Sequence, residues 1–184
     1  MAYSVDEVDY GPLQALIGHW QGDKGLDVSP DPQGDEKAAY ADTIVFSPVG
    51  DATNAEQQKL AALHYHQAVT RISDGKLFHN ETGYWLWDPD KKLVMQTLTI
   101  PRGLSLVAGG PIEADATVIE VTATDEDSDW TISQSPFLQS HAKTRTFHHR
   151  IEINGDLLRY DETMLVDIYG KQFVHTDKNE LQRI

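Results

Sequence analysis

Apolar and polar positions alternate along most of this chain. Between positions 158 and 168, Leu158, Tyr160, Met164, Val166 and Ile168 share one face, and Arg159, Asp161, Thr163 and Asp167 share the other. A period of two belongs to a strand with one side turned inward. Glu162 falls on the apolar face, so it points into a wet cavity or marks a bulge. Similar patterns predict strands over 18–28, 40–49, 60–73, 76–88, 92–101, 103–108, 118–124, 142–154, 156–169 and 171–184. Asn154-Gly155 gives the strongest hairpin signal, because both residues tolerate positive φ. Ser73-Asp74-Gly75-Lys76, Asp88-Pro89-Asp90-Lys91 and Tyr169-Gly170-Lys171 supply further turns. Pro12 to Ile17 lies between two glycines and predicts one short helix; 54–62 carries a weaker helix signal that runs into a strand pattern. Three stretches read as exposed loops: 28–36, 50–58 and 125–129. The predicted fold is all-β, an antiparallel up-and-down barrel of about ten strands with one short N-terminal helix.

Composition narrows the picture. The 184 residues suit one domain, 1–184, with a flexible N-terminus over 1–10. There is no cysteine, which excludes disulfides, thiolate metal sites and a cysteine nucleophile. The net charge of −14 disfavours nucleic acid and anionic membrane surfaces as partners. The N-terminal residues have no signal-peptide pattern and no stretch is apolar enough to span a membrane, so a cytoplasmic address is the default expectation. A homodimer is left open.

Gly18-His19-Trp20 opens the first strand, where a large flat side chain can plug a small barrel. Lipocalin-like barrels often cover such a tryptophan with an arginine from the last strand, and Arg183 stands there. Eight histidines are the remaining chemistry. His64 and His66 share a face, as metal pairs do, but no further ligand follows at a useful spacing, so an outward-facing pair is the better reading. His148 and His149 are adjacent, so one of them points inward. His79 can pair with Glu81 two residues on, and His175 with Asp177. Lys143 and Arg145 could receive acidic groups of a ligand, although a solvated strand face suits them better. No phosphate loop, dinucleotide fingerprint or nucleophile elbow is present.

Three stretches together resemble the nitrobindin family, a fatty-acid-binding-protein-like, haem-binding barrel: 16–25 with its Gly-x-Trp opening, the His79-x-Glu81-x-Gly83-Tyr84 strand, and 132–164. The resemblance implies a ten-stranded barrel closed at one end, with b-type ferric haem at the other. It also implies binding of nitric oxide and isomerisation of peroxynitrite. It nominates His175 as the iron ligand and Phe78, His79 and Ile100 as cavity residues; alternation adds Met164. Two positions depart from the family pattern. The opening carries one extra residue, so its last glycine is Gly25. Nine residues follow His175, and Thr176-Asp177-Lys178-Asn179 reads as a turn, which would interrupt the last strand or put His175 on a loop. The alternatives to a haem protein are a metal-free binding module for a fatty acid or other small apolar molecule, and, last, a metalloenzyme built on His64 and His66.

Overall fold

The structure, a computed structural model, describes residues 7–184. A six-residue 3-10 helix (Gly11–Leu16) leads into eleven strands: β1 (Gly18–Asp31), β2 (Gly34–Asn54), β3 (Gln58–Arg71), β4 (Leu77–Asp88), β5 (Leu93–Ile100), β6 (Leu104–Pro111), β7 (Val118–Thr124), β8 (Ile132–Gln134), β9 (Ala142–Asn154), β10 (Leu157–Ile168) and β11 (Lys171–Arg183). A short helix, α1 (Pro136–His141), lies between β8 and β9. All ladders between these strands are antiparallel. β1 pairs with β11, and β5 pairs with β6, so ten strands close into a barrel. All ten expected strands are present. β8 is an extra short strand that pairs only with the start of β6. It helps fill the wall where β6 and β7 share a single pair, Gly109 with Thr122.

Several sequence expectations need correction. The 28–36 stretch is mostly strand: β1 and β2 run on to a tight turn at Pro32-Gln33. The 50–58 stretch belongs largely to β2 as well. In both cases cross-strand pairing within a hairpin overrides loop-like composition. Of the expected flexible N-terminus, residues 1–6 lie outside the described residues, while Tyr10 is 3% exposed and joins the core. No helix among the described residues is long and apolar enough to cross a membrane.

One end of the barrel is plugged. Trp20 is fully buried, and its indole N–H donates to the Leu16 carbonyl at 2.7 Å. The Arg183 guanidinium lies 4.2 Å from the Trp20 ring. It donates to the carbonyls of Ile17 and Ala15. Trp20 and Arg183 are also direct cross-strand partners. The expected cation–π contact therefore ties the first strand, the last strand and the 3-10 helix together. Leu13 and Leu16 of the 3-10 helix and Leu63, Trp85, Leu158 and Leu181 of the strands are fully buried in the same core cluster.

A bulge in β1 explains the extra residue of the opening motif. Register slips between Gly22 and Gly25 against β2, and between Gln21 and Leu26 against β11. One strand residue more on β1 reverses the parity, so Trp20 faces inward below the bulge and Gly25 and Asp27 face inward above it. Both glycines are required. A Cβ at Gly22 would stand 2.2 Å from the Glu180 carbonyl oxygen, and one at Gly25 would stand 2.2 Å from the Tyr40 ring.

Candidate ligand cavity at the open end

The other end of the barrel holds a cavity of about 410 Å³. Its rim comes from the β1–β2, β3–β4, β5–β6 and β10–β11 turns and from α1. His175, His79, Phe78, Ile100 and Met164 all line it. Inward parity places them there: His175 is opposite Met164 on the neighbouring strand, and His79 is opposite Val69, another lining residue. β5, which carries Ile100, lies five strands from β11 in either direction round the wall, so Ile100 and His175 stand on opposite sides.

The cavity is less apolar than a hydrophobic-ligand barrel suggests. Its upper part has Phe78, Ile100, Leu104, Leu138, Met164 and Ile168. Its β1–β11–β10 wall carries acids. His175 is on continuous strand, because β11 pairs with β1 and β10 straight through Thr176 to Lys178. The expected break or loop is absent, since two flanking ladders hold a turn-like sequence extended. His175 Nε2 lies 2.7 Å from Asp27 Oδ1 and 3.1 Å from Asp177 Oδ2. Burial works against charge on the ring, but hydrogen bonds to Asp177 and Asp27 outweigh it and push the imidazole up to about 10. Asp27 is lowered: burial opposes ionisation, and the bonds from His175 and Ser29 overcome it. Asp177 is raised, chiefly by burial and then by the Asp27 charge. Glu162 faces the same cavity with its carboxyl held well above the usual range by burial and by Glu81 and Asp177. Of the two readings for Glu162, the cavity is the one observed: it lines the cavity and the ladders run without a register shift through its position.

A polar layer separates this wall from the plug. The Tyr160 hydroxyl donates to Asp42 Oδ2 at 2.6 Å, Gln67 donates to the same oxygen at 2.8 Å, and the Tyr40 and Tyr160 hydroxyls are 2.8 Å apart. Burial pushes Asp42 up to about 6 against those bonds. Beside it, the Tyr65 hydroxyl donates to Glu81, Gln96 donates to Tyr65 at 2.9 Å, and His149 Nδ1 meets Gln96 Oε1 at 3.0 Å. Glu81 is 2% exposed and also pairs with His79 at 3.3 Å. His79 thus both lines the cavity and binds Glu81, as its sequence spacing allowed. His149 is the inward member of its pair, and burial drives its ring down to about 4.

The remaining candidates lie outside. His64 bonds to Thr82 and His66 to Asn80 on the outer face, which removes the metal reading of that pair. Lys143 and Arg145 pair with Asp125, and Arg145 also with Asp167, as a solvated strand face would. Sequence reasoning missed Asp27, Asp42 and Asp177 as cavity or near-cavity groups. Asp177 was findable, two residues after His175 on the same face; Asp27 became an inward residue only through the β1 bulge.

The chain matches the THAP4-like, heme-binding beta-barrel domain over residues 9–183. It belongs to that family. Among solved structures it is similar to Rv2717c from M. tuberculosis, with 25% identity, 94% of this chain and 97% of that chain covered, and a TM-score of 0.68. No curated protein matches it. The nitrobindin resemblance read from three sequence stretches is therefore sound. The cavity residues of this family member also fit a haem. An imidazole stands on the wall opposite an apolar side. The carboxylates hold its Nε2, while Nδ1 carries no hydrogen bond among the described residues. Imidazoles that ligate metals commonly donate from the other ring nitrogen to a carboxylate in this way. Arg71 and Arg102 lie at the rim, where a haem's propionates would need cations.

Proposed function

We propose that this barrel binds a b-type haem in the open-end cavity, with His175 as the iron's protein ligand. The observation that supports it best is His175 on the wall of the open-end cavity of a haem-binding-family barrel, across from Ile100. Asp27 and Asp177 orient the ring and raise its basicity by accepting its Nε2–H. Met164 excludes water beside His175, and Phe78 and Ile100 do so on the far side. His79, held by Glu81, is the one cavity imidazole on that side able to donate a hydrogen bond to a small bound molecule. Bound ferric haem supplies an open coordination position for nitric oxide or peroxynitrite.

The catalytic part of this reading is tested by stopped flow. Haem-loaded protein should speed peroxynitrite decay and give nitrate, and His79→Ala should reduce the rate while leaving haem bound. Decay no faster than in the haem-free protein would reduce the function to haem binding.

A further inference from the structure

Three carboxylates stand in one inward-facing row. Asp27 on β1 is directly opposite Asp177 on β11, and Asp177 is directly opposite Glu162 on β10. Like charges directly opposite across a sheet destabilise it. Among the described residues the one ion-pair partner of this row is His175, which reaches Asp27 and Asp177. Glu162 has no hydrogen bond or ion pair among the described residues, although it faces the cavity. Ser29 donates to Asp27 at 2.8 Å; Tyr40, Tyr160, Gln67 and His79 also line the cavity, with Arg71 and Arg102 at its rim, and His79 is already held by Glu81. Three carboxyl groups thus share one imidazole, and one of them lacks a partner among the described residues.

One nitrogen of His175 and one oxygen each of Asp27 and Asp177 lie within 4.8 Å of one another. We propose that Asp27, His175 and Asp177 bind one non-haem divalent ion of the zinc class, with Glu162 as the neighbouring carboxyl that the ion's charge would ionise. The donor set argues for that class. An imidazole suits zinc and its neighbours, whereas calcium takes six to eight oxygens. Three protein donors leave a position open, which here faces the cavity.

This inference goes beyond the haem reading and draws on the same ring. A neutral imidazole has one lone pair for a metal. With haem it ligates from one nitrogen and donates the other N–H to the carboxylates; with zinc the carboxylates share the ion with Nε2. The two occupants therefore compete.

The test is calorimetric titration of chelator-treated, full-length protein with Zn²⁺ alone. One site per chain is expected. Asp27→Asn, Asp177→Asn and His175→Ala should each weaken it at least tenfold, and Glu162→Gln by a smaller factor. His66→Ala, on the outer face, should leave it unchanged. Circular dichroism identifies any variant that fails to fold, and Zn²⁺-induced shifts of the His175 ring signals in the parent give a readout independent of all variants. Absence of those shifts, or zinc binding that survives both asparagine variants, overturns the proposal. Haem is added to the same samples. If haem binds and zinc does not, this inference fails and the haem reading stands. If zinc binds and haem does not, the reverse holds. If both bind singly, zinc-loaded protein must take up haem more weakly.

Discussion

Trp20 and His149 show how single residues carry this barrel. Trp20 is buried under Arg183 and bonded to Leu16, so truncation removes a large apolar body and two tethers together. Trp20→Ala should cost roughly 3–5 kcal/mol in urea unfolding, the range for a buried large aromatic. A loss under about 1 kcal/mol would mean that the plug is not what closes the end. His149 is buried neutral, with its ring driven down to about 4 from the usual 6.5. Its contribution is present above the unfolded-state value and is lost as pH falls through the folded one. That amounts to about 3 kcal/mol between pH 6.5 and pH 4. Asp42, pushed up to about 6, works in the opposite sense, its contribution fading as pH rises through that value. The clean measurement is therefore the difference between the parent and His149→Gln in urea midpoint across this range. The difference should shrink toward low pH. A pH-independent difference would place a charged ring at position 149. Trp20 and Arg183 were legible in the sequence because strand order alone brings them together. The partners of His149 were not, since Gln96 lies 53 positions away and side-chain layers emerge only when the barrel closes.

Strands and hairpins were the most readable level, because an alternating pattern bounded by Gly, Asn, Asp and Pro reports its own period and ends. Two elements escaped. β8 is three residues long and α1 six, too short for either period to register, although Ser135-Pro136 is a helix-start signal whose serine caps the Leu138 amide. β11 was misread in its middle because Thr176 to Asn179 has turn composition, yet two neighbouring strands pair with it. The β1 bulge is the element on which the cavity depends, since it sets which β1 residues face inward. Gly22→Ala places a Cβ against the Glu180 carbonyl and should cost about 1–3 kcal/mol, lowering the melting temperature in calorimetry. An unchanged melting temperature would show that the bulge can slide to relieve the clash.

At the scale of the molecule, the barrel is layered: an apolar plug, a polar belt of tyrosines, glutamines and acids, and an open cavity with one charged wall. Fold and family were legible from the sequence, as was the set His175, His79, Phe78, Ile100 and Met164 around one cavity. The charged wall was not, because Asp27 and His175 are 148 positions apart and meet only through the β1–β11 seam. Such a wall costs stability, which supports the binding role proposed for it. Everything argued for the cavity turns on His175. Ferric haem titrated into metal-free protein should give a Soret band saturating at one haem per chain. His175→Ala should abolish that band or weaken binding at least tenfold, while circular dichroism shows the barrel intact. A variant that binds haem as tightly as the parent, or a parent that binds none, would contradict the assignment of this cavity.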